Sequence, residues 1–441
     1  MPLLSLLADQ LRKLQAAGAP AAALQGGLSP EEREKLFTGV KNGSLRLVLA
    51  TPEACLTPSM ESRLASCGFS HFVVDEAHCV SEWGESFRPA YLKVGELAAR
   101  IGIPLITAFT ATASPPVMDK IKRYLFADRD VRVVAAAPDR PNISYAVVPA
   151  LSRMRSLSVM TAGREGSTLV FCRTRKGAEL AARMLARRGI GREIRFYHAG
   201  LSREERAEVE AWFLSSRSGV LISTSAYGMG VDKPDIRTVI HADVPSSVES
   251  YLQETGRAGR DGSPSRAIQI ASPEDERFAS RLPAGISKDR YEAILGYARA
   301  RGQCRRAHLL ALIGQEPPVC SGCDVCAGSE VTSPEGKTEI MGFAKKHKRR
   351  FRRAQAEDIL RGARNPGVIR EFLDGVKGYG ALRAWENEDI EEALDELLSA
   401  GLLRIAARGP WKGRLNVGRG NSDATAAGAR EYPNTAPHPG K

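Results

Sequence analysis

The sequence predicts an α/β protein made of two tandem parallel-sheet lobes, followed by a helical zinc-binding unit and a winged helix. Three observations carry that reading. Short apolar runs alternate with helix-length polar stretches in two successive series. Four cysteines then cluster between Cys304 and Cys326, and a helix, strand, turn and strand follow in order.

The first series contains LRLVLA, HFVVDEAH and IPLITAFTATA, each followed by a more polar stretch of helix length, the rhythm of a parallel sheet covered by helices. The second contains STLVFCRTR, IRFYHAG, SGVLISTSA and RTVIHADVP, separated by the helical patterns KGAELAARMLARRG and REERAEVEAWFLSS. Between them, APDRPNIS has the Pro and Asp content of a junction. These limits place lobe 1 at 1–145, lobe 2 at 146–280, a zinc-binding helical unit at 281–330 and a winged helix at 331–420. The remaining 421–441, small, polar and proline-bearing, reads as a disordered tail.

Bulk properties agree with several domains and a polyanionic partner. A chain of 441 residues exceeds one core, since domains average roughly 150 residues. The net charge of +12, from 63 Lys and Arg against 51 Asp and Glu, favours nucleic acid. No apolar run reaches the length of a membrane span. The start MPLLSLLADQLRKLQ lacks a basic leader region and is interrupted by Asp9, Arg12 and Lys13, so it reads as an amphipathic helix. Cys55, Cys67, Cys79 and Cys172 are scattered singly, the pattern of small buried side chains in a reducing, cytoplasmic compartment, with nucleoid association expected in a bacterium.

Asp75 and Glu76, with His78 close behind, follow the run FVV and so stand at the carboxyl end of a buried strand, where open α/β sheets bind ligands. In a nucleotide hydrolase the first carboxylate holds Mg²⁺ and the second polarises water. A bare Asp-Glu pair is more often an acidic helix start, and only its context decides. Cys304, Cys320, Cys323 and Cys326 have the spacing C-x15-C-x2-C-x2-C, which suits four thiolates around one structural Zn²⁺. Arg305, beside them with Arg306, is a candidate DNA contact. Lys345 to Arg353 form a basic run in which Lys348 and Arg349 suit phosphate contact. Trp411, in RGPWKGR, is either a wedge at a duplex junction or a capping hydrophobe.

DEAHCVSEWGESFRPAY, TAFTATA, STSAYGMGVDKP and YLQETGRAGRDG occur in the order and spacing of a superfamily 2 helicase. With the aromatic loop running directly from the DEAH box and the four cysteines after the second lobe, the chain resembles the RecQ family of ATP-dependent DNA helicases over about residues 1–415. The resemblance implies RecA-like lobes and 3′ to 5′ movement on DNA in repair and recombination. ATP and Mg²⁺ join zinc as cofactors, and single-stranded DNA and duplex junctions are the partners. It assigns Arg260 as arginine finger with Arg257 in support, and Gly228, Gly230, Asp232 and Gln253 as nucleotide contacts. Thr112 and Ser114 couple hydrolysis to strand movement, while Trp83, Phe87 and Arg88 meet unpaired bases and Tyr91 packs the lobe. The loop departs from the family at Glu82, Glu85 and Ser86.

The family also carries a P-loop, G-x-x-x-x-G-K-[ST], which holds the phosphates. Here the one GK[ST] is Gly336, Lys337 and Thr338, with Val331 where the loop's first glycine belongs. Lobe 1 is therefore expected to lack a central strand, through a misplaced start codon or a split gene, and the chain as given is expected to be inactive. The alternative function is an ATP-independent DNA-binding remnant or regulator that uses the zinc unit and winged helix.

Overall fold

The first strands pair in two separate sets. In the computed structural model, which describes residues 4–82, 89–110, 114–127, 129–135, 139–227, 233–316 and 319–418, β1 (Ala21–Leu24) pairs in parallel with β2 (Leu47–Ala50). β3 (His71–Val74) pairs in parallel with β4 (Leu105–Ala108). Each pair has its own core. Leu24, Leu36, Phe37, Met60 and Leu64 pack under the first, while Val74, Val80, Tyr91, Val117 and Leu125 pack under the second. The amphipathic start is a helix, Leu4–Ala16. Tyr91 is fully buried, as expected for a ring that packs the lobe.

The second lobe is one continuous sheet. β5 (Ile143–Pro149), β6 (Ser167–Phe171), β7 (Ile194–Tyr197), β8 (Val220–Ser223), β9 (Ile236–His241) and β10 (Ser265–Ala271) lie in the order β5-β10-β9-β6-β8-β7. The pairings β10–β9, β9–β6, β6–β8 and β8–β7 are all parallel. β6 and β8 are buried along their whole lengths, which explains their near-continuous apolar sequences. The helices between start where the sequence supplies caps. Ser202 and Glu205 make a reciprocal capping box at the head of helix Arg203–Ser215.

The chain divides into two compact units. One comprises Met1–Val147, Gly163–Gln269 and Leu282–Glu330, and the other Val148–Ala162, Ile270–Arg281 and Val331–Lys441. In the second unit, helices Lys337–Lys346, Arg353–Arg361 and Asn387–Ser399 precede the antiparallel hairpin of β11 (Leu403–Ile405) and β12 (Leu415–Val417). A core including Ile340, Phe343, Ile359, Leu394 and Leu415 joins them, so this is a winged helix. Within the same unit Ser152 Oγ donates to Asp389 Oδ1 at 2.9 Å, and Arg277 makes two hydrogen bonds to Glu396. Among the described residues no helix is long and apolar enough to cross a membrane.

Candidate functional site

Asp75 and Glu76 leave the carboxyl end of β3, where the backbone is tied to the end of β4. Phe109 N–H donates to Val74 O and Ala77 N–H donates to Phe109 O, both at 2.8 Å. Glu76 is held at φ +51°, a left-handed conformation that a side chain of this size adopts only where its surroundings enforce it. Burial raises the Glu76 carboxyl above its ordinary range, with help from Asp75 and opposition from Arg257. His78 is buried, 3.1 Å from Thr110 Oγ1 and 3.3 Å from Glu76 Oε2 through Nδ1. Desolvation pushes its pKa down to about 4, against the pull of Glu249 and Asp75, so the ring is neutral near pH 7.

The opposing charge comes from the second lobe. Helix Val248–Thr255 carries half-buried Gln253 and ends in a turn at Arg257. The Arg257 guanidinium is buried, and its Nε and Nη1 have no hydrogen-bond partner among the described residues. Burial and the neighbouring Arg260 push its pKa down to about 10, while Glu254, Tyr227 and Glu76 act to raise it. An unsatisfied buried cation within electrostatic reach of two carboxylates is suited to an anionic ligand. Arg260, three residues on, is exposed.

Two residues that sequence reasoning treated as part of a junction build this turn. Arg140 donates to the carbonyls of Gly256, Ala258 and Gly259, and Asn142 Nδ2 donates to those of Gly259 and Ser263. Gly259 has φ +52°, and a Cβ there would lie 2.5 Å from Asn142 Nδ2, Ser263 O and Ser265 Oγ, so only glycine fits. Arg140 and Asn142 hold the turn through backbone carbonyls, a contact that leaves no spacing signature in the sequence.

Ser114 is buried and donates to Glu249 Oε1 at 2.7 Å, which links the start of helix Pro115–Ile121 to helix Val248–Thr255. It is not presented to solvent for direct DNA contact. Thr112, Trp83, Phe87, Arg88, Gly228, Gly230, Asp232 and the 421–441 tail lie outside the described residues. Gly336 and Lys337 stand at the head of helix Lys337–Lys346 in the winged-helix unit, where a Cβ on Gly336 would meet Trp385, so this GK[ST] is a helix start and no phosphate loop.

Cys304, Cys320, Cys323 and Cys326 converge, their Sγ atoms all within 4.8 Å of one another. Tetrahedral zinc with Zn–S bonds of about 2.3 Å separates its sulfurs by about 3.8 Å, so the four thiols fit the ion with small adjustment. The cluster is anchored to β5. Asp324 N–H donates to Tyr145 O at 2.9 Å, and Val147 N–H donates to Asp324 Oδ2 at 3.0 Å. Arg305 is not a DNA contact. Its side chain is fully buried, with Nε on Asp324 and Nη2 on Glu330, each at 3.0 Å, and Nη1 on Ala300 O. Arg306 is buried too, bonded to Asp139 and to the carbonyls of Arg140 and Ile143. Both cations neutralise interior carboxylates, because a charge at such depth must be paired.

In the winged helix the basic run splits by position. His347 and Phe351 are buried, while Lys345, Lys346, Lys348, Arg349, Arg350 and Arg352 are exposed. Trp411 lies between β11 and β12, 46% exposed, with the Arg349 guanidinium 4.9 Å above its ring. It therefore caps no core. A planar cation and an aromatic face are stacked and open to solvent there.

Comparison with known proteins matches the same segments. Residues 1–121 match the DEAD/DEAH box helicase family, 150–262 the helicase conserved C-terminal domain, 278–327 the RecQ zinc-binding family and 338–426 the RQC domain. The chain is 31% identical over 416 residues to the ATP-dependent DNA helicase RecQ of Pasteurella multocida, a match that covers 91% of this chain and 65% of that protein. It is 30% identical over 452 residues to the ATP-dependent DNA helicase RecQ of Bacillus subtilis, covering 97% and 76%. The solved structure of the DEAD-box helicase Mss116 bound to ssRNA and UDP-BeF superposes with a TM-score of 0.50 at 15% identity, over 71% of this chain and 66% of that one, which shows a shared fold. Four family segments in register and these two relatives place the chain in the RecQ helicase family.

Proposed function

We propose that this chain supplies the DNA-tracking body of an ATP-dependent helicase that moves 3′ to 5′ along DNA in repair and recombination. The observation that carries the reading is Arg257, a buried guanidinium with unpartnered nitrogens coupled to Glu76 from the other lobe. Asp75 would hold Mg²⁺, which would supply charge neutralisation to the phosphates. Glu76, its carboxyl raised by burial, is a better proton acceptor near neutral pH than an exposed glutamate and orients the attacking water. Arg257 and Arg260 offset the charge that spreads over the transferred phosphoryl group, with Arg260 as the finger. Gln253 on the same helix, with Gly228, Gly230 and Asp232, contacts nucleotide. Trp83, Phe87, Arg88 and Thr112 act on the DNA side.

Residues 1–441 contain no G-x-x-x-x-G-K-[ST] loop. The test joins the chain to such a segment and compares it with its Glu76→Gln variant. DNA-stimulated turnover is expected to fall by roughly 10² to 10⁴ with DNA affinity retained. Equal turnover removes Glu76 from the reaction. The exposed basic run with Arg349 on Trp411 supports a second reading, DNA binding that needs no nucleotide.

A further inference from the structure

In the winged-helix unit, the segment between helices Arg353–Arg361 and Asn387–Ser399 presents apolar side chains to solvent. It contains the short helix Pro366–Arg370, capped by the Asn365 side chain, which accepts from Val368 N–H at 2.9 Å. Val368 and Leu373 enter the core of the unit. Ile369 and Phe372, interleaved with them, are left outside it at 62% and 81% exposure. Phe372 N–H donates to Ile369 O at 3.2 Å, which holds the two in one turn.

Phe372 is also strained. It comes directly after the helix's C-cap residue, Glu371, and takes φ +54°. That left-handed position is usually a glycine's, because a Cβ is crowded there. No burial of the ring offsets the strain. An exposed aromatic side chain held on a costly backbone points to a task outside the chain's own packing. Arg349, at φ +57° and stacked on Trp411, is a second exposed residue of this unit in the same conformation, and it too presents a planar group.

Cations flank the turn. Arg364, Arg370 and Lys377 are exposed along it against two carboxylates, of which Glu371 accepts from Gln355 Nε2 at 2.6 Å. The turn closes onto the basic run, where Lys377 O lies 2.9 Å from His347 Nε2. Lys346, next to His347, stands beside Lys377, and desolvation together with that neighbouring ammonium holds its pKa below the ordinary lysine range. Two adjacent ammoniums suit a shared anion such as a phosphodiester.

We infer that Phe372, backed by Ile369, is a stacking platform for an unpaired nucleobase, with Lys346 and Lys377 on the phosphates of the same strand. A phenyl face accepts any base, and the aliphatic side chain beside it shields one edge of the stack from water. Bases inside a duplex already stack on one another, so the site takes single strands and frayed ends. The inference rests on the DNA-binding reading and adds to it a site distinct from the Arg349 and Trp411 pair.

The test titrates the full chain with an oligothymidylate of about 15 nucleotides and with the same backbone made of abasic sites. Phe372→Ala should weaken binding to thymidylate about fivefold or more, the lower end of what one aromatic stack contributes, and leave binding to the abasic strand unchanged. Phe372→Trp should restore the loss. Phe372→Gly should weaken thymidylate binding equally while the unfolding temperature holds or rises, because glycine relieves the left-handed backbone. Lys346→Ala together with Lys377→Ala should instead weaken both strands and reduce the salt dependence of binding. Equal losses on both strands in Phe372→Ala, or a clearly lower unfolding temperature in Phe372→Gly, would make Phe372 a structural residue and overturn the inference. Dimerisation of the free chain that Phe372→Ala abolishes would also overturn it, by assigning the ring to a second copy. If Phe372→Ala binds thymidylate as the unaltered chain does while Lys348→Ala together with Arg349→Ala weakens it, the stacking site falls and the DNA-binding reading stands. If the unaltered chain binds neither strand, both fall.

Discussion

Ser114 Oγ donates to Glu249 Oε1 at 2.7 Å, with both side chains buried. The pair joins the helix that follows the TAFTATA motif to the helix that leads to Arg257. Ser114→Ala leaves a buried carboxylate short of one donor and is expected to lower stability by about 1–3 kcal/mol. Ser114→Thr, which keeps the hydroxyl, is expected to restore most of it. Thermal unfolding of the three proteins checks this.

His78 makes stability depend on pH. Its folded pKa, pushed down to about 4, lies below its ordinary value of 6.5, so the unfolded chain binds the extra proton first. The stabilising contribution of the neutral ring is whole above 6.5 and is lost as pH falls from there to about 4, to a total of about 3 kcal/mol. Unfolding midpoints followed from pH 8 to 4 should fall less steeply in His78→Gln. Parallel curves would assign the acid sensitivity to other groups.

Much of this was legible in the sequence. The strands with dense Val, Leu and Ile, such as Ser167–Phe171 and Val220–Ser223, were visible because both faces of a parallel sheet are buried. Ala21–Leu24, mostly alanine, carries no strand signal, and Ile143–Pro149 was hidden behind the two prolines and the aspartate before it. The clamp of Arg140 and Asn142 on the arginine turn works through main-chain carbonyls more than 110 residues away. Arg305 and Arg306 looked like surface cations because their partners Asp324, Glu330 and Asp139 are 19, 25 and 167 residues distant.

Those buried arginines should behave as structure. Arg305→Ala strands Asp324 and Glu330 beside the cysteine cluster, and breaking a buried pair typically costs about 3–5 kcal/mol. Reduced zinc retention and a lowered unfolding temperature are expected. The matching surface change, Lys348→Ala together with Arg349→Ala, should instead weaken DNA binding and reduce its salt dependence by about two phosphate contacts, with unfolding unchanged.

Metal analysis of the purified chain should return one zinc. Cys323→Ser should lose most of it and destabilise the unit, since binding and folding are linked. Cys55→Ser and Cys172→Ser, both isolated from the cluster, should keep it. Full zinc in a Cys323→Ser, Cys326→Ser double variant would show that other residues hold the ion.

The most direct measurement is DNA-stimulated ATP hydrolysis by purified residues 1–441, alone and joined to a G-x-x-x-x-G-K-[ST] strand-and-loop segment. The chain alone should show none. The joined protein should hydrolyse ATP, and Arg260→Ala in it should reduce turnover by about 10³ to 10⁵ with DNA binding near normal. Turnover by residues 1–441 alone would contradict the account, because it would mean that phosphates are held without a G-x-x-x-x-G-K-[ST] loop.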